Sequence, residues 1–440
     1  MKDLLKTILR DFQRSLPRRD VMPRDLQVPL QSGKIISLIG PRRSGKTYFF
    51  YNLINQLTVK VPKEQIIYIN FEDERLELTS ARLHLIIDAY SELYPENMNK
   101  RLFFFFDEIQ QIADWEKFVR RVYDTISKEI FITGSSARLL DRELASSLRG
   151  RHVVYRLYPL SFREYCSFQR LDTSDLYATV SKGLLSRQFD RYIEFGGYPE
   201  IIAMEKELAQ KALQSYFEVM LFRDIIERYR VSNVVALKQF LKKIFNNIAN
   251  PFSVNKFFNE LKSQGILVSK NDVYHFLDYA ADSLLVYTVS HYDASTIRQQ
   301  TASKKVYAVD TGLVNAITFR YSQDQGYLLE NAVFIQLKRL FESVFFLKNK
   351  IECDFFVQKG ASTQVIQVCY SLQDEKTRTR ELKGLLHAMD RFGLQEGTIL
   401  TRGEEETYTV EGKIVQIKPA WKALLQKEEG YGKTEQEIDG

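Results

Sequence analysis

The stretch Ile35-Ile-Ser-Leu-Ile39, followed by Gly40-Pro-Arg-Arg-Ser-Gly-Lys46-Thr47 and then by an amphipathic segment, restricts the fold of this chain more than any other feature. It fits G-x-x-x-x-G-K-[ST] between a strand and a helix, the context in which the motif acquires its meaning. Glycines let the backbone of such a turn wrap a phosphate with its N–H groups, and the helix N-terminus adds positive potential. Gly40, Pro41, Arg42, Arg43, Ser44, Gly45, Lys46 and Thr47 are therefore the expected cradle for nucleotide phosphates. Lys46 is expected to reach the β- and γ-phosphates, and the Thr47 hydroxyl to ligate Mg²⁺. Phe49, Leu53, Ile54 and Leu57 then form one apolar stripe at helical spacing.

The first third of the chain alternates short apolar runs with amphipathic segments, the pattern of a parallel sheet covered by helices. Residues 65–69, 102–106, 130–133 and 153–157 join 35–39 as the expected strands. The third run, Leu102-Phe-Phe-Phe-Phe, ends in Asp107-Glu108. Asp107 at the strand tip is placed to hold the magnesium, and Glu108 to polarise a water for attack on the γ-phosphate. The fourth run ends in Thr133-Gly-Ser135-Ser136. Either the Thr133 or the Ser135 hydroxyl contacts the γ-phosphate or its attacking water, or the segment is an ordinary strand-ending turn. Leu148-Arg149-Gly-Arg151 offers an arginine to a neighbouring subunit's γ-phosphate, a role that requires a homo-oligomer; the alternative is a solvated pair.

A length of 440 residues suggests about three domains. Hydrophobic residues at 45% and charged residues at 27% exclude a mostly disordered or coiled-coil chain. A net charge of +6 over this length permits contact with nucleic acid without demanding it. Cys166, Cys353 and Cys369 form no C-x-x-C pair, which points to a reducing, cytoplasmic compartment. Residues 1–12 mix helical apolar spacing with charges, unlike a signal peptide, and no apolar run approaches the ~20 residues that span a bilayer, so no membrane association is expected. His84, His152, His275, His291 and His387 form no H-x-x-x-H pair, so no zinc site is expected.

From 161 to 230 helical patterns take over, broken by the tight turn Gly196-Gly-Tyr-Pro199. Residues 231–300 read helix, helix, helix, strand, with Ser253 and Ser269 as N-caps and Gly265 ending the second helix. That order suits a winged helix-turn-helix. Its third helix offers Lys270, Asn271, Tyr274 and His275, diluted by Asp272 and Asp278, while Lys242, Lys243, Lys256 and Lys262 are available to backbone phosphates. Contact with double-stranded DNA and a role in packing or subunit contact both remain open.

These motifs occur with Asn70-Phe-Glu-Asp73, Pro159-Leu-Ser-Phe-Arg-Glu-Tyr165, Gly196-Gly-Tyr-Pro-Glu200, Arg223-Asp224 and Tyr307-Ala-Val-Asp-Thr-Gly312. Over nearly its whole length the chain thus resembles the prokaryotic AAA-type ATPases of the archaeal ATPase group. The resemblance implies an α/β fold: a P-loop NTPase αβα core at 1–160, a helical lid at 161–230, a winged helix-turn-helix at 231–300 and a restriction-endonuclease-like α/β domain at 301–425; the polar, Gly- and charge-rich composition of 426–440 predicts a flexible tail. The expected function is a Mg²⁺-dependent ATPase whose hydrolysis moves the lid and repositions the winged helix and end domain; the alternatives are a nucleotide-switched DNA-binding or scaffold protein with negligible turnover and an ATP-regulated nuclease. Arg223 would act on the nucleotide from the lid, or simply pair with Asp224. In the end domain Glu330, Asp354 and Gln367 follow the nuclease-like order of acid, acid and polar residue, but the lysine expected two positions beyond Gln367 is Cys369. A thiol supplies no ammonium, so a degenerate domain used for binding or assembly is expected in place of an active nuclease.

Overall fold

The structure, a computed structural model, describes residues 1–135, 148, 150–301, 303–318, 325–341, 343–348, 351–360 and 362–426. Arg149 and the tail from 427 onward lie outside the described residues. Two compact units are present, one of Met1–Tyr158 with Asp282–Leu284, the other of Pro159–Ala281 with the described residues from Leu285 on. Among the described residues no helix is long and apolar enough to cross a membrane.

In the first unit the five expected runs form β1 (Ile35–Ile39), β2 (Ile66–Asn70), β3 (Phe103–Asp107), β4 (Glu129–Gly134) and β5 (His152–Arg156). They pair in parallel in the order β2-β3-β4-β1-β5. Helices α1 (Lys2–Arg14), α2 (Lys46–Thr58), α3 (His84–Leu93) and α4 (Trp115–Thr125) cover the sheet. Side chains alternate along a strand, so one apolar run feeds two cores. Phe104 and Phe106 join Ile67, Ile69, Ile130 and Ile132 on one face; Phe103 and Phe105 join Ile36, Leu38 and Phe131 on the other, where α2 adds Phe49, Leu53, Ile54 and Leu57. The amphipathic α1 serves both, with Leu5 and Leu9 in the first core and Phe12 in the second. Topology decides what comes next. β4 lies between β1 and β3, so the loops leaving these three strands emerge side by side at the same sheet edge.

The second unit begins with helices Phe162–Phe168, Thr179–Phe195 and Lys206–Val219, the last continuing as a π-helical segment, Met220–Glu227. Helices Val234–Asn246, Val254–Ser263 and Lys270–Asp282 follow, with Ser253 accepting from the Lys256 N–H and Ser269 from the Asp272 N–H at their starts. A three-stranded antiparallel sheet, β6 (Pro251–Phe252), β7 (Val286–Val289) and β8 (Lys304–Ala308), is ordered β6-β8-β7. It therefore closes beyond the boundary expected at 300: its middle strand comes from residues assigned to the end domain. A six-stranded mixed sheet follows, built from β9 (Ser343–Lys348), β10 (Glu352–Lys359), β11 (Ser362–Val368), β12 (Glu396–Thr401), β13 (Glu406–Val410) and β14 (Lys413–Pro419) in the order β13-β14-β12-β11-β10-β9. Helix Glu375–Phe392 packs Leu385 and Met389 against Phe356, Ile399 and Ile417 of this sheet.

Two of the signature motifs lock the second unit internally. The Asp310 carboxylate accepts the Gly197 N–H at 2.7 Å and the Leu313 N–H at 3.2 Å, so it caps helix Thr311–Ile317 and holds the Gly196-Gly197 turn together. Gly196 has φ +76°, and a Cβ there would stand 1.9 Å from Asp310 Oδ1. Ser161 and Glu164 form a capping box, with the Ser161 N–H on the Glu164 carboxylate at 2.8 Å and the Glu164 N–H on the Ser161 hydroxyl at 3.1 Å.

Asp310→Ala strands two buried N–H groups and is expected to cost about 2–4 kcal/mol, read as a lower urea midpoint at unchanged m value. Burial pushes the Asp310 carboxyl up from 3.8 to about 6. A raised folded-state value means its contribution is fullest below about 3.8 and is lost as pH rises through about 6. Wild type should therefore lose stability relative to Asp310→Asn as denaturation is repeated from pH 4 to pH 7.

Candidate functional site

At the head of the first unit's sheet, the turn after β1 is tightly held. Arg43 (φ 64°) and Gly45 (φ 95°) are both left-handed, a conformation that curls successive N–H groups into one concavity ahead of α2. A Cβ on Gly40 would stand 2.3 Å from the Leu157 carbonyl, so only glycine permits this approach. Buried Arg24 staples the turn from the preceding segment: Nη1 donates to the Ser44 carbonyl at 3.0 Å and Nη2 to the Tyr158 carbonyl at 2.8 Å. The Arg42 guanidinium pairs with Glu72 at 3.1 Å, in the Asn70–Asp73 stretch after β2.

The Lys46 ammonium lies across the turn, donating to the Gly40 carbonyl at 3.1 Å and the Pro41 carbonyl at 3.3 Å and pairing with Glu108 Oε1 at 3.2 Å. One residue on, the Thr47 hydroxyl donates to Asp107 Oδ2 at 2.7 Å. Tyr68 on β2 donates to the same oxygen at 2.9 Å, and the Thr133 hydroxyl donates to Asp107 Oδ1. Thr133 also accepts the Glu108 N–H at 2.8 Å. Asp107 is fully buried, and burial raises its pKa against the lowering effect of these hydroxyl donors. Glu108 takes the opposite direction. Burial pushes it up, but the Lys46 charge, the Gln110 amide and the Arg42 charge outweigh that, and its pKa falls below the usual value. Glu108 itself is left-handed at φ 52°, a conformation a glutamate adopts only where its surroundings impose it.

Ser135 is buried at 1% exposure, and its hydroxyl has no hydrogen-bond partner among the described residues. Of the two hydroxyls expected at this strand end, Thr133 is committed to Asp107 and Glu108 and Ser135 is not. Arg151 Nη1 pairs with Asp124 at 3.1 Å, and its guanidinium lies over the Tyr123 ring. Arg223 is exposed on the π-helical segment, and Asp224 of that segment pairs with Arg228 at 3.6 Å. Sequence reasoning missed Arg24 and Tyr68. Neither belongs to a motif, and only the sheet order brings Tyr68 beside Asp107, through the Asn70–Asp107 register of β2 and β3.

In the second unit, Lys242, Lys256, Lys262, Lys270, Asn271 and Tyr274 are exposed, and Lys243 pairs with Glu260 at 2.8 Å. His275 is exposed and its ring stacks on Tyr279. Glu330, Asp354 and Gln367 are all buried, together with a lysine from β8 that sequence reasoning did not connect with them.

An AAA domain model matches residues 32–166, and a domain of unknown function (DUF8612) matches 186–324. The uncharacterised protein MJ1544 of Methanocaldococcus jannaschii is 34% identical over 440 residues, 96% of each chain. The chain belongs to the family of that protein. An uncharacterised protein of Haemophilus influenzae is 29% identical over 366 residues, 82% of this chain and 87% of its own. Among solved structures, AMPPCP-bound DnaA from Aquifex aeolicus is 13% identical, with 62% of this chain and 86% of the other covered at a TM-score of 0.25. The ORC1 protein of Aeropyrum pernix in complex with DNA is also 13% identical, with 71% and 91% covered at a TM-score of 0.30. Overlaps this loose bear on neither ligands nor partners.

Thr133→Val removes a donor to Asp107 and the acceptor of the Glu108 N–H, so it should lower stability by about 1–3 kcal/mol in urea denaturation of the full chain. Tyr68→Phe leaves Asp107 two hydroxyl donors, and its midpoint should fall between those of Thr133→Val and wild type.

Proposed function

We propose that this chain is a Mg²⁺-dependent ATPase in which Lys46, Thr47, Asp107 and Glu108 carry the chemistry. The observation behind this reading is the pair of contacts at the head of the sheet, Thr47 with Asp107 at 2.7 Å and Lys46 with Glu108 at 3.2 Å. Hydroxyl and carboxylate oxygens are the hard donors Mg²⁺ takes, and Thr47 and Asp107 would hold it. The ion's contribution is charge neutralisation at the β- and γ-phosphate oxygens. The turn from Gly40 to Gly45 offers its N–H groups to the phosphates, and Lys46 exchanges the carbonyls of Gly40 and Pro41 for phosphate oxygens. Glu108, kept ionised by Lys46 and Gln110, accepts the proton of the attacking water. Thr133 positions both acids, and we assign the contact with the γ-phosphate or its water to Ser135.

A homo-oligomer belongs to the same reading, with Arg149 or Arg151 stabilising charge on a neighbouring chain's γ-phosphate. Arg151 would leave Asp124 to do so. For the three-helix unit the proposed partner is double-stranded DNA. Its helix order and three-stranded sheet suit a winged helix, and the exposed Lys242, Lys256, Lys262 and Lys270 suit backbone phosphates. A cytoplasmic location, where the three unpaired thiols stay reduced, goes with this function.

Glu108→Gln is expected to lower steady-state ATP hydrolysis by about 10²-fold or more while nucleotide binding is retained. Lys46→Ala should lose binding and turnover together. Unchanged turnover in Glu108→Gln would remove the assigned base. Measured with and without double-stranded DNA, the wild-type rate should rise with DNA; an indifferent rate would take DNA out of the reading and leave the ATPase in place.

A further inference from the structure

The end domain contains a buried charge cluster separate from the nucleotide site. Lys305 on β8 has a side chain 2% exposed. Its ammonium reaches Glu330 Oε1 at 3.0 Å, Asp354 Oδ1 at 3.1 Å and Glu352 Oε1 at 2.8 Å. One carboxylate comes from helix Gln325–Leu340 and two from β10. An ammonium has three donors, and three carboxylate oxygens surround this one. The rest of the cluster is also committed. Tyr307 donates to Glu330 Oε1 at 2.7 Å, the Val368 N–H donates to Asp354 Oδ2 at 3.0 Å, and Lys348 stands 3.6 Å from Glu352 Oε2. The Gln367 side chain accepts the Asp354 N–H at 3.1 Å and donates to Glu381. The Cys369 thiol donates to the Ser371 carbonyl at 3.0 Å.

Inward-facing carboxylates from a helix and a neighbouring strand are what a hard divalent cation needs in order to bind and work on phosphodiesters. Here the oxygens converge on an ammonium instead. Among the described residues no group of three or more His, Cys, Asp or Glu side chains is arranged to hold a metal ion. We propose that Lys305 is the resident cation of this cluster: its ammonium takes the place of a divalent metal ion, so the end domain is held together without metal and does not cleave nucleic acid. Burial and the neighbouring Asp354 push the Glu330 carboxyl up, against the pull of the Lys305 charge, while Glu352 lies between Lys305 and Lys348. Removing the ammonium alone leaves buried carboxylates uncompensated, a costly state that an external cation relieves.

The test uses the full chain without nucleotide, titrated with Mn²⁺ and read by the electron paramagnetic resonance of the free ion. Wild type should show no Mn²⁺ binding that Asp354→Asn removes. Lys305→Ala should gain one site with a Kd on the order of 10⁻⁴ M or tighter, absent again from Lys305→Ala/Asp354→Asn. Its melting temperature should rise with Mn²⁺ by more than that of Lys305→Ala/Asp354→Asn, whereas wild type and Asp354→Asn should respond to Mn²⁺ alike. Wild-type Mn²⁺ binding or DNA nicking that Asp354→Asn abolishes would overturn the proposal, as would a folded Lys305→Ala that gains no site. If Lys305→Ala does not fold, Lys305→Met/Glu330→Gln/Asp354→Asn decides the matter. A fold near wild-type stability supports a charge-balancing role, and failure to fold overturns it. None of these outcomes depends on ATP hydrolysis, so the proposal and the ATPase reading stand or fall separately.

Discussion

A single desolvated carboxylate organises the first unit. Asp107 sits at the end of β3 with no exposure, and a buried acid in that position is tolerated only when its oxygens are hydrogen-bonded. Its partners are Thr47 at the start of α2, Tyr68 on β2 and Thr133 on β4. Four elements are thereby fixed to one another at the point where the Gly40–Gly45 turn opens. Thr133 passes the constraint on to the Glu108 backbone, and the left-handed Glu108 turns its carboxylate to Lys46. The two adjacent acids end in different electrostatic situations because one faces hydroxyls and the other an ammonium.

Much of this could be read from residues alone, and the reason is physical. Parallel strands buried on both faces are continuous apolar runs, so 35–39 and 102–106 announce themselves, and each observed strand begins within one residue of its expected start. The turn from Gly40 to Thr47 is local, eight successive residues whose types carry the geometry. Strand order is not local. That β4 inserts between β1 and β3, and that β2 flanks β3, determines which of Thr133, Ser135 and Tyr68 reach Asp107, and no spacing in the chain encodes it. Lys305 is a stronger case: it lies 25 residues from Glu330 and 49 from Asp354 in the sequence. A buried lysine looks like a surface lysine until its partners are known.

The motifs divide by the work they do. In the proposed function, Gly40 to Thr47 and Asp107-Glu108 present chemistry. Gly196-Gly-Tyr-Pro, Tyr307-Ala-Val-Asp-Thr-Gly and Pro159-Leu-Ser-Phe-Arg-Glu-Tyr build joints: a carboxylate clasping a glycine turn, and a capping box at a helix start. Both kinds restrict residue choice: a Cβ at Gly196 would stand 1.9 Å from Asp310 Oδ1, and one at Gly40 2.3 Å from the Leu157 carbonyl. A signature is thus a statement about narrow tolerance before it is a statement about catalysis.

Arg24 and α1 bear on how this protein can be divided. The matched AAA segment opens at residue 32, yet Arg24 anchors the Gly40–Gly45 turn and Phe12 stacks on Tyr68 at 4.4 Å between ring centroids. Tyr68 in turn holds Asp107. A recombinant fragment cut at the matched boundary would retain every residue of the motif and lose the scaffolding that shapes it. For this chain, the shortest stretch that is recognisable and the shortest stretch that is competent are different lengths of polypeptide.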